Sequence, residues 1–132
     1  MIEYKFEHVG ITVNSIEETA KWYESNLGFK RDGGVLEKPD LYLRLCKMKL
    51  GDFCLEILEP YRENIAKKNH ERLQELLRKP GINHLSISVG NINKSYRKMD
   101  ENGVQLVTEV INSKYFFCKD NNGISLEIRQ KK

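Results

Sequence analysis

Two six-residue stretches decide the fold, HVGITV at residues 8–13 and HLSISV at residues 84–89. Each begins with a histidine and then alternates apolar residues with small or polar ones. A period of two is typical of a β-strand with one buried and one open face. The alternation therefore predicts that the apolar residues pack against a core, while His8 and His84 point to the opposite side.

A helix pattern follows each of these strands. Ser15 with Glu18 fits a capping box, and Gly28 is a suitable stop. The same spacing recurs in the second half of the chain, which indicates an internal repeat. The residues His8, Ile16, Ala20 and Tyr23 have counterparts 76 positions later, His84, Ile92, Tyr96 and Met99, and Gly103 is the second stop.

Strand-like runs follow both helices, so each half is predicted to be a βαβββ module. The runs are residues 28–36, 41–50 and 53–59 in the first half, and 104–111, 114–119 and 124–129 in the second. We expect an α+β protein with a first module over residues 1–61, a linker helix over 62–80 and a second module over 81–132. The paired modules would form a curved, half-open mixed sheet.

Composition and charge limit the classes of molecule that the protein is expected to bind. The chain has 132 residues, of which 39% are hydrophobic, and a net charge of +3 without basic clusters. This pattern predicts a small-molecule ligand rather than nucleic acid. No apolar run approaches the length of a membrane span, and the first residues lack a signal-peptide pattern. Three cysteines without paired spacing predict reduced thiols and a cytoplasmic protein.

The candidate site combines the two histidines with two glutamates. Glu56 and Glu127 each stand in a Leu-Glu-Ile triplet in the last strand of a module. Alternation places both carboxylates on the open face, which His8 and His84 share. Imidazole nitrogen and carboxylate oxygen suit Zn, Ni, Co, Mn or Fe(II), so the four side chains predict one divalent metal site. The alternative is that each is an ordinary hydrogen-bonded strand residue.

The chain resembles the vicinal oxygen chelate superfamily, which includes glyoxalase I. The resemblance rests on the two histidine strands, the Leu-Glu-Ile triplets, and the segments 22–29 and 120–123. It implies paired βαβββ modules around a metal, with the ligand set His8, Glu56, His84 and Glu127 that is similar to metal-dependent glyoxalase I. It also implies a substrate that chelates through neighbouring oxygens.

The implied activity is that of a lyase or isomerase that moves a proton next to a carbonyl. The resemblance favours Glu127 as the general base, with Glu56 as the alternative. Two other functions stay open, a methylmalonyl-CoA-epimerase-like enzyme and a metal-free binding module. Glyoxalase I proteins commonly carry arginine where this chain has Thr12, and Arg44 is the candidate replacement for anion contact, unless it is only solvated. Relatives of this size imply a homodimer.

Overall fold

The computed structural model describes residue 3, residues 6–61 and residues 82–132. The chain divides into two compact units, Met1–Ala66 and Lys67–Lys132. The predicted linker helix at 62–80 lies outside the described residues. Among the described residues, no helix is long and apolar enough to cross a membrane.

The first unit is a βαβββ module whose second strand is divided into two pieces. Its elements are β1 (Val9–Thr12), α1 (Ile16–Leu27), β2 (Lys30–Arg31), β3 (Leu36–Lys38), a 3₁₀ turn (Pro39–Leu41), β4 (Leu43–Leu50) and β5 (Phe53–Pro60). The strands pair in the order β1-β5-β4-β2, and β3 also pairs with β4. β1 runs parallel to β5 and the other pairs are antiparallel, so the sheet is mixed.

The predicted strand over residues 28–36 is therefore wrong in its extent. Only β2 and the beginning of β3 fall within it, because Gly33 and Gly34 separate the two pieces. Gly33 has a φ of 88°, a backbone conformation that extended strands do not use. The chain turns there and then pairs with β4 again, so that Arg31 lies opposite Met48 and Leu36 lies opposite Leu45.

The second unit repeats the module. Its elements are β6 (Leu85–Val89), α2 (Ile92–Glu101), β7 (Gln105–Leu106), β8 (Tyr115–Lys119) and β9 (Ser125–Gln130), and its strands pair in the order β6-β9-β8-β7. The predicted strand over residues 104–111 shrinks to β7 because the ladder is interrupted after Leu106. The amides of Val107 and Thr108 both donate to the Phe117 carbonyl, and the Phe117 amide donates to the Thr108 hydroxyl instead of a backbone partner.

Both predicted modules are confirmed as α+β units, and the same device holds each helix to its sheet. The amide of Ile16, the first residue of α1, donates to Glu59 Oε1 at 2.7 Å. The amide of Ile92, the first residue of α2, donates to Gln130 Oε1 at 2.8 Å. Both acceptors stand three residues after the glutamate of the Leu-Glu-Ile triplet. Because an unpaired amide at a helix start is costly, these bonds fix the helix against the last strand.

The core lies between each sheet and its own helix, as the alternation predicts. The apolar residues that flank the two glutamates, Leu55, Ile57, Leu126 and Ile128, are fully buried. On α1, Ile16, Ala20 and Tyr23 are buried against this side of the first sheet. The face that carries the glutamates is consequently the one turned away from the helix.

Candidate metal centre

The first module brings His8 and Glu56 together. β1 and β5 are parallel, with Gly10 opposite Glu56, so the absence of a side chain at Gly10 leaves space beside the carboxylate. His8 Nε2 lies 3.8 Å from Glu56 Oε1, and the Glu56 side chain is 18% exposed. This distance is too long for a hydrogen bond. It matches two ligands of one ion, which lie roughly 3–4 Å apart when each bond is about 2.1 Å.

His84 in the second module is oriented by its neighbours. Its Nδ1 lies 2.8 Å from Asn83 Oδ1, and because an amide oxygen only accepts, Nδ1 is the donor. The ring also packs edge-on against Phe117, with centroids 5.1 Å apart. A neutral imidazole with its proton on Nδ1 keeps the Nε2 lone pair for a ligand, which is the usual arrangement of a metal-binding histidine.

Glu127 is held by hydrogen bonds on both carboxylate oxygens. The Ser86 hydroxyl donates to Oε1 at 2.8 Å, and Arg129 Nη1 donates to Oε2 at 3.1 Å. Only 12% of the Glu127 side chain is exposed. Phe117 lies opposite Glu127 in the sheet, so one aromatic residue neighbours both Glu127 and His84.

Each module therefore places its predicted histidine and glutamate on the same face. Among the described residues, no group of three or more histidine, cysteine, aspartate or glutamate side chains is close enough to hold a metal ion. Within each module the histidine and the glutamate offer nitrogen and oxygen donors whose chemistry suits a divalent ion. The four-residue set remains a prediction.

Arg44 makes its contacts on the helix side of the first sheet, opposite the face that carries Glu56. Its Nε lies 3.4 Å from Glu59 Oε2, and its guanidinium lies 5.9 Å from the Tyr61 ring. In the β-ladder Arg44 is opposite Glu59, whereas Lys47 is opposite Glu56. Arg44 is thus an ion-paired residue on the helix side and lies away from the carboxylate of Glu56.

Sequence reasoning missed Asn83 and Arg129, which touch His84 and Glu127 directly. Each had a signal in the sequence. Asn83 immediately precedes the histidine, and Arg129 is two positions after the glutamate, where strand alternation returns a side chain to the same face. Both were passed over because polar residues at such positions are usually solvated.

Comparison with known proteins identifies the class to which this fold and site belong. The model of the Glyoxalase/Bleomycin resistance protein/Dioxygenase superfamily matches residues 5–128. The chain belongs to this superfamily. Comparison with curated protein sequences gave no match.

Solved structures of relatives share the fold at low sequence identity. The trypanothione-dependent glyoxalase I of Leishmania major is 18% identical, with a TM-score of 0.78 over 97% of this chain and 87% of that one. A glyoxalase family protein from Enterococcus faecalis is 24% identical, with a TM-score of 0.69 over 95% and 96%. The fosfomycin resistance protein FosX of Listeria monocytogenes, in complex with Mn(II) and sulfate, is 11% identical, with a TM-score of 0.70 over 99% and 95%.

Proposed function

We propose that this protein is a metal-dependent, glyoxalase-I-like lyase or isomerase that moves a proton next to the carbonyl of a small oxygenated substrate. The proposal rests on the repeated pair of histidine and glutamate, which occupies corresponding strand positions on the open face of both modules. A single such pair has an ordinary structural explanation. Its duplication, together with superfamily membership, favours a shared metal ion.

The proposed ligands are His8, Glu56, His84 and Glu127, and they would hold one Zn, Ni, Co, Mn or Fe(II) ion. The donors fit such an ion, since His84 presents Nε2 and His8 Nε2 lies at a ligand-to-ligand distance from Glu56. When bound, the metal polarises the substrate carbonyl and stabilises the negative charge that develops on its oxygen.

Glu127 is the proposed general base, and Glu56 is the proposed second carboxylate. A base must lie within hydrogen-bond reach of the proton that it takes. Ser86 and Arg129 hold the Glu127 carboxylate through both of its oxygens, so it would face a bound substrate in one orientation. Glu56 has a longer contact with His8, at 3.8 Å.

Two other functions stay in competition. A coenzyme A thioester epimerase would use the same proton transfer on a larger substrate, and Thr12 in place of arginine weakens the case for glutathione. A binding module without catalysis would use the open face only to sequester a ligand. Metal content separates the binding module from the enzymes, and the substrate panel below separates the enzymes from each other.

The first experiment is metal analysis of protein purified without chelator. One divalent ion per four-ligand site is expected, with loss of the metal in His8→Ala and in His84→Ala. His70→Ala, which removes the third histidine of the chain, is the matched control and should keep the metal. Full occupancy in the double variant of His8 and His84 would reject the ligand set.

The second experiment tests the reaction with methylglyoxal–thiol adducts and acyl-CoA epimers, and follows exchange of the substrate proton with deuterated solvent. Turnover of a thiol adduct supports the glyoxalase-like activity, and exchange into an acyl-CoA supports the epimerase. Metal-loaded protein that exchanges neither proton would contradict both enzymes.

We also propose a cytoplasmic homodimer. The short sheets leave strand edges that a second copy of the chain could cover, and most oligomers of this kind are two-fold symmetric. Light scattering should give twice the mass of the 132-residue chain. A monomer across a wide concentration range would exclude this assembly.

A further inference from the structure

Arg129, on the open face of the second sheet, forms an ion pair and is still partly exposed to solvent. It lies two residues after Glu127 on β9, and the two side chains share a face. Its Nη1 donates to Glu127 Oε2 at 3.1 Å, while its guanidinium lies 5.3 Å from the centre of the Tyr115 ring. The side chain is nevertheless 45% exposed.

These contacts hold the guanidinium in place without using all of its donors. Arginine carries five N–H donors in a planar fork, and stacking on an aromatic ring fixes the plane of that fork. Glu127 accepts a hydrogen bond from one of these donors. Since Ser86 donates to the other oxygen of Glu127, Arg129 can bind a second anion without leaving this carboxylate unbonded.

The surroundings of Arg129 are positively charged. It lines a surface cleft whose other lining residues are Lys114, Gln130, Lys131 and Lys132. Several cations around one cleft raise the local concentration of anions.

We propose that Arg129 is a specificity-determining residue that binds a carboxylate of the substrate next to the proposed metal ligand Glu127. The substrate class is then a small acid that carries its carboxylate close to the oxygens that chelate the metal. A planar guanidinium pairs with a carboxylate through two parallel hydrogen bonds, which gives both affinity and orientation. This inference rests on the proposed function, and it deepens that function by naming the charge of the substrate.

The test compares two probes that differ only by a carboxylate. Acetohydroxamate offers two neighbouring oxygens and no further charge, and malonohydroxamate adds a carboxylate to the same chelating group. Titration calorimetry on the metal-loaded protein gives the Kd of each. The unmodified protein should prefer malonohydroxamate, and Arg129→Gln should weaken that probe by about 10- to 100-fold while acetohydroxamate changes little.

Two further variants separate charge from geometry. Arg129→Lys keeps the charge but loses the fork, so its loss for malonohydroxamate should fall between those of the unmodified protein and Arg129→Gln. Arg97→Gln makes the same charge change on the exposed side of α2 and should leave both Kd values unchanged. Metal content is measured on every variant, so that a loss of the ion is not read as a loss of anion binding.

The outcomes distinguish this inference from the proposed function. Equal weakening of both probes in Arg129→Gln at full metal content would show that Arg129 only supports Glu127, and would overturn the inference. Absence of a preference for malonohydroxamate in the unmodified protein would also overturn it. A protein that binds neither metal nor acetohydroxamate would overturn the proposed function, and the inference with it.

Discussion

The two modules have the same strand and helix order but hold their glutamates differently. In the first module, Glu56 has a 3.8 Å contact with His8. In the second, Glu127 accepts hydrogen bonds on both oxygens, and His84 is bonded through Nδ1 to Asn83. The comparison suggests a division of labour, in which the second module holds its two candidate metal ligands by hydrogen bonds, whereas the contact between those of the first module is longer.

The helix caps, on the helix side of each sheet, show the same divergence. Glu59 and Gln130 accept a hydrogen bond from the first amide of α1 and α2, respectively. The carboxylate of Glu59 also pairs with Arg44, whereas the amide of Gln130 donates to the carbonyls of Val89 and Gly90. A repeated position can thus keep one contact and exchange the rest.

Exchange of each glutamate for glutamine tests the division of labour and should have the largest effect. Glutamine keeps an oxygen donor but cannot act as a base. If Glu127 is the base, Glu127→Gln should lower kcat by about 10²- to 10⁴-fold, the usual contribution of general-base catalysis. Glu56→Gln should be milder, because glutamine keeps an oxygen donor at this position and Glu56 is not the proposed base.

The measurement is kcat with the substrate identified by the panel, at known metal content. Equal and modest losses in both variants at full metal content would reject Glu127 as the base. A larger loss in Glu56→Gln would reverse the two roles and would mean that the carboxylate of the first module does the chemistry.

The oriented histidine gives a second prediction, of intermediate size. Asn83→Ala removes the oxygen that accepts from His84 Nδ1, and partners of this kind are typically worth 10- to 100-fold in metal affinity. Asn83→Asp keeps an acceptor and should restore most of the affinity. In the first module, Glu7 Oε1 lies 3.9 Å from His8 Nδ1, so Glu7→Ala should have little effect.

Metal affinities come from competition with a chelator of known strength. The same loss in the Glu7 and Asn83 variants would mean that the two histidines are held alike. In that case the modules would differ in how they hold their glutamates but not in how they hold their histidines.

Sequence periodicity was sufficient for the modules because the helix starts and the alternating strands depend on local chemistry. Ser15 accepts from the amide of Glu18, as the capping box predicts, and Gly28 ends α1 with a φ of 74°. The division between β2 and β3 was missed, although Gly33-Gly34 gave a signal for it. The apolar residues on either side resembled one continuous strand.

The partners of the site residues depend on strand register, which local patterns do not fix. Ser86 reaches Glu127 because β6 pairs with β9 in one particular register. A shift of one residue would turn every side chain to the other face. Sequence could therefore propose the histidines and glutamates from their repetition, while Asn83, Ser86 and Arg129 required the structure.

The cap residues give a third prediction, of about 1 kcal/mol. Glu59→Gln keeps the acceptor for the Ile16 amide and loses only the ion pair with Arg44, which is partly exposed. Its cost in the free energy of unfolding should stay below about 1 kcal/mol. Gln130→Glu should cost more, about 1–2 kcal/mol, because a carboxylate cannot donate to the Gly90 carbonyl and would face it unpaired.

Urea unfolding of the two variants measures these costs. Equal destabilisation would show that the Val89 and Gly90 contacts contribute nothing to the second module. A larger cost for Glu59→Gln would assign the greater importance to the ion pair with Arg44.

The smallest predicted effect concerns the buried thiol of the second module. Burial raises the pKa of Cys118 to about 12 from its ordinary value of 9.0. The folded state therefore keeps a proton that the unfolded state loses first. The contribution of Cys118 to stability is unchanged below pH 9, falls as the pH rises above 9, and levels off above pH 12. Between pH 9 and 10 this loss is about 1 kcal/mol.

Cys118→Ala removes this proton linkage, so its stability should decline less steeply between pH 9 and 10 than that of the unmodified protein. The variant also loses packing, but that cost is the same at each pH and does not alter the slope. Burial also raises the pKa of Cys46 in the first module, and Cys46→Ala is the matched comparison.

Urea unfolding under reducing conditions at pH 8, 9 and 10 gives the slopes. Because burial shifts the pKa of Cys118 more than that of Cys46, stability should fall less steeply with pH in the Cys118 variant than in the Cys46 variant. Parallel curves for Cys118→Ala and the unmodified protein would mean that water reaches the thiolate of the second module, and that its core is the less protected of the two.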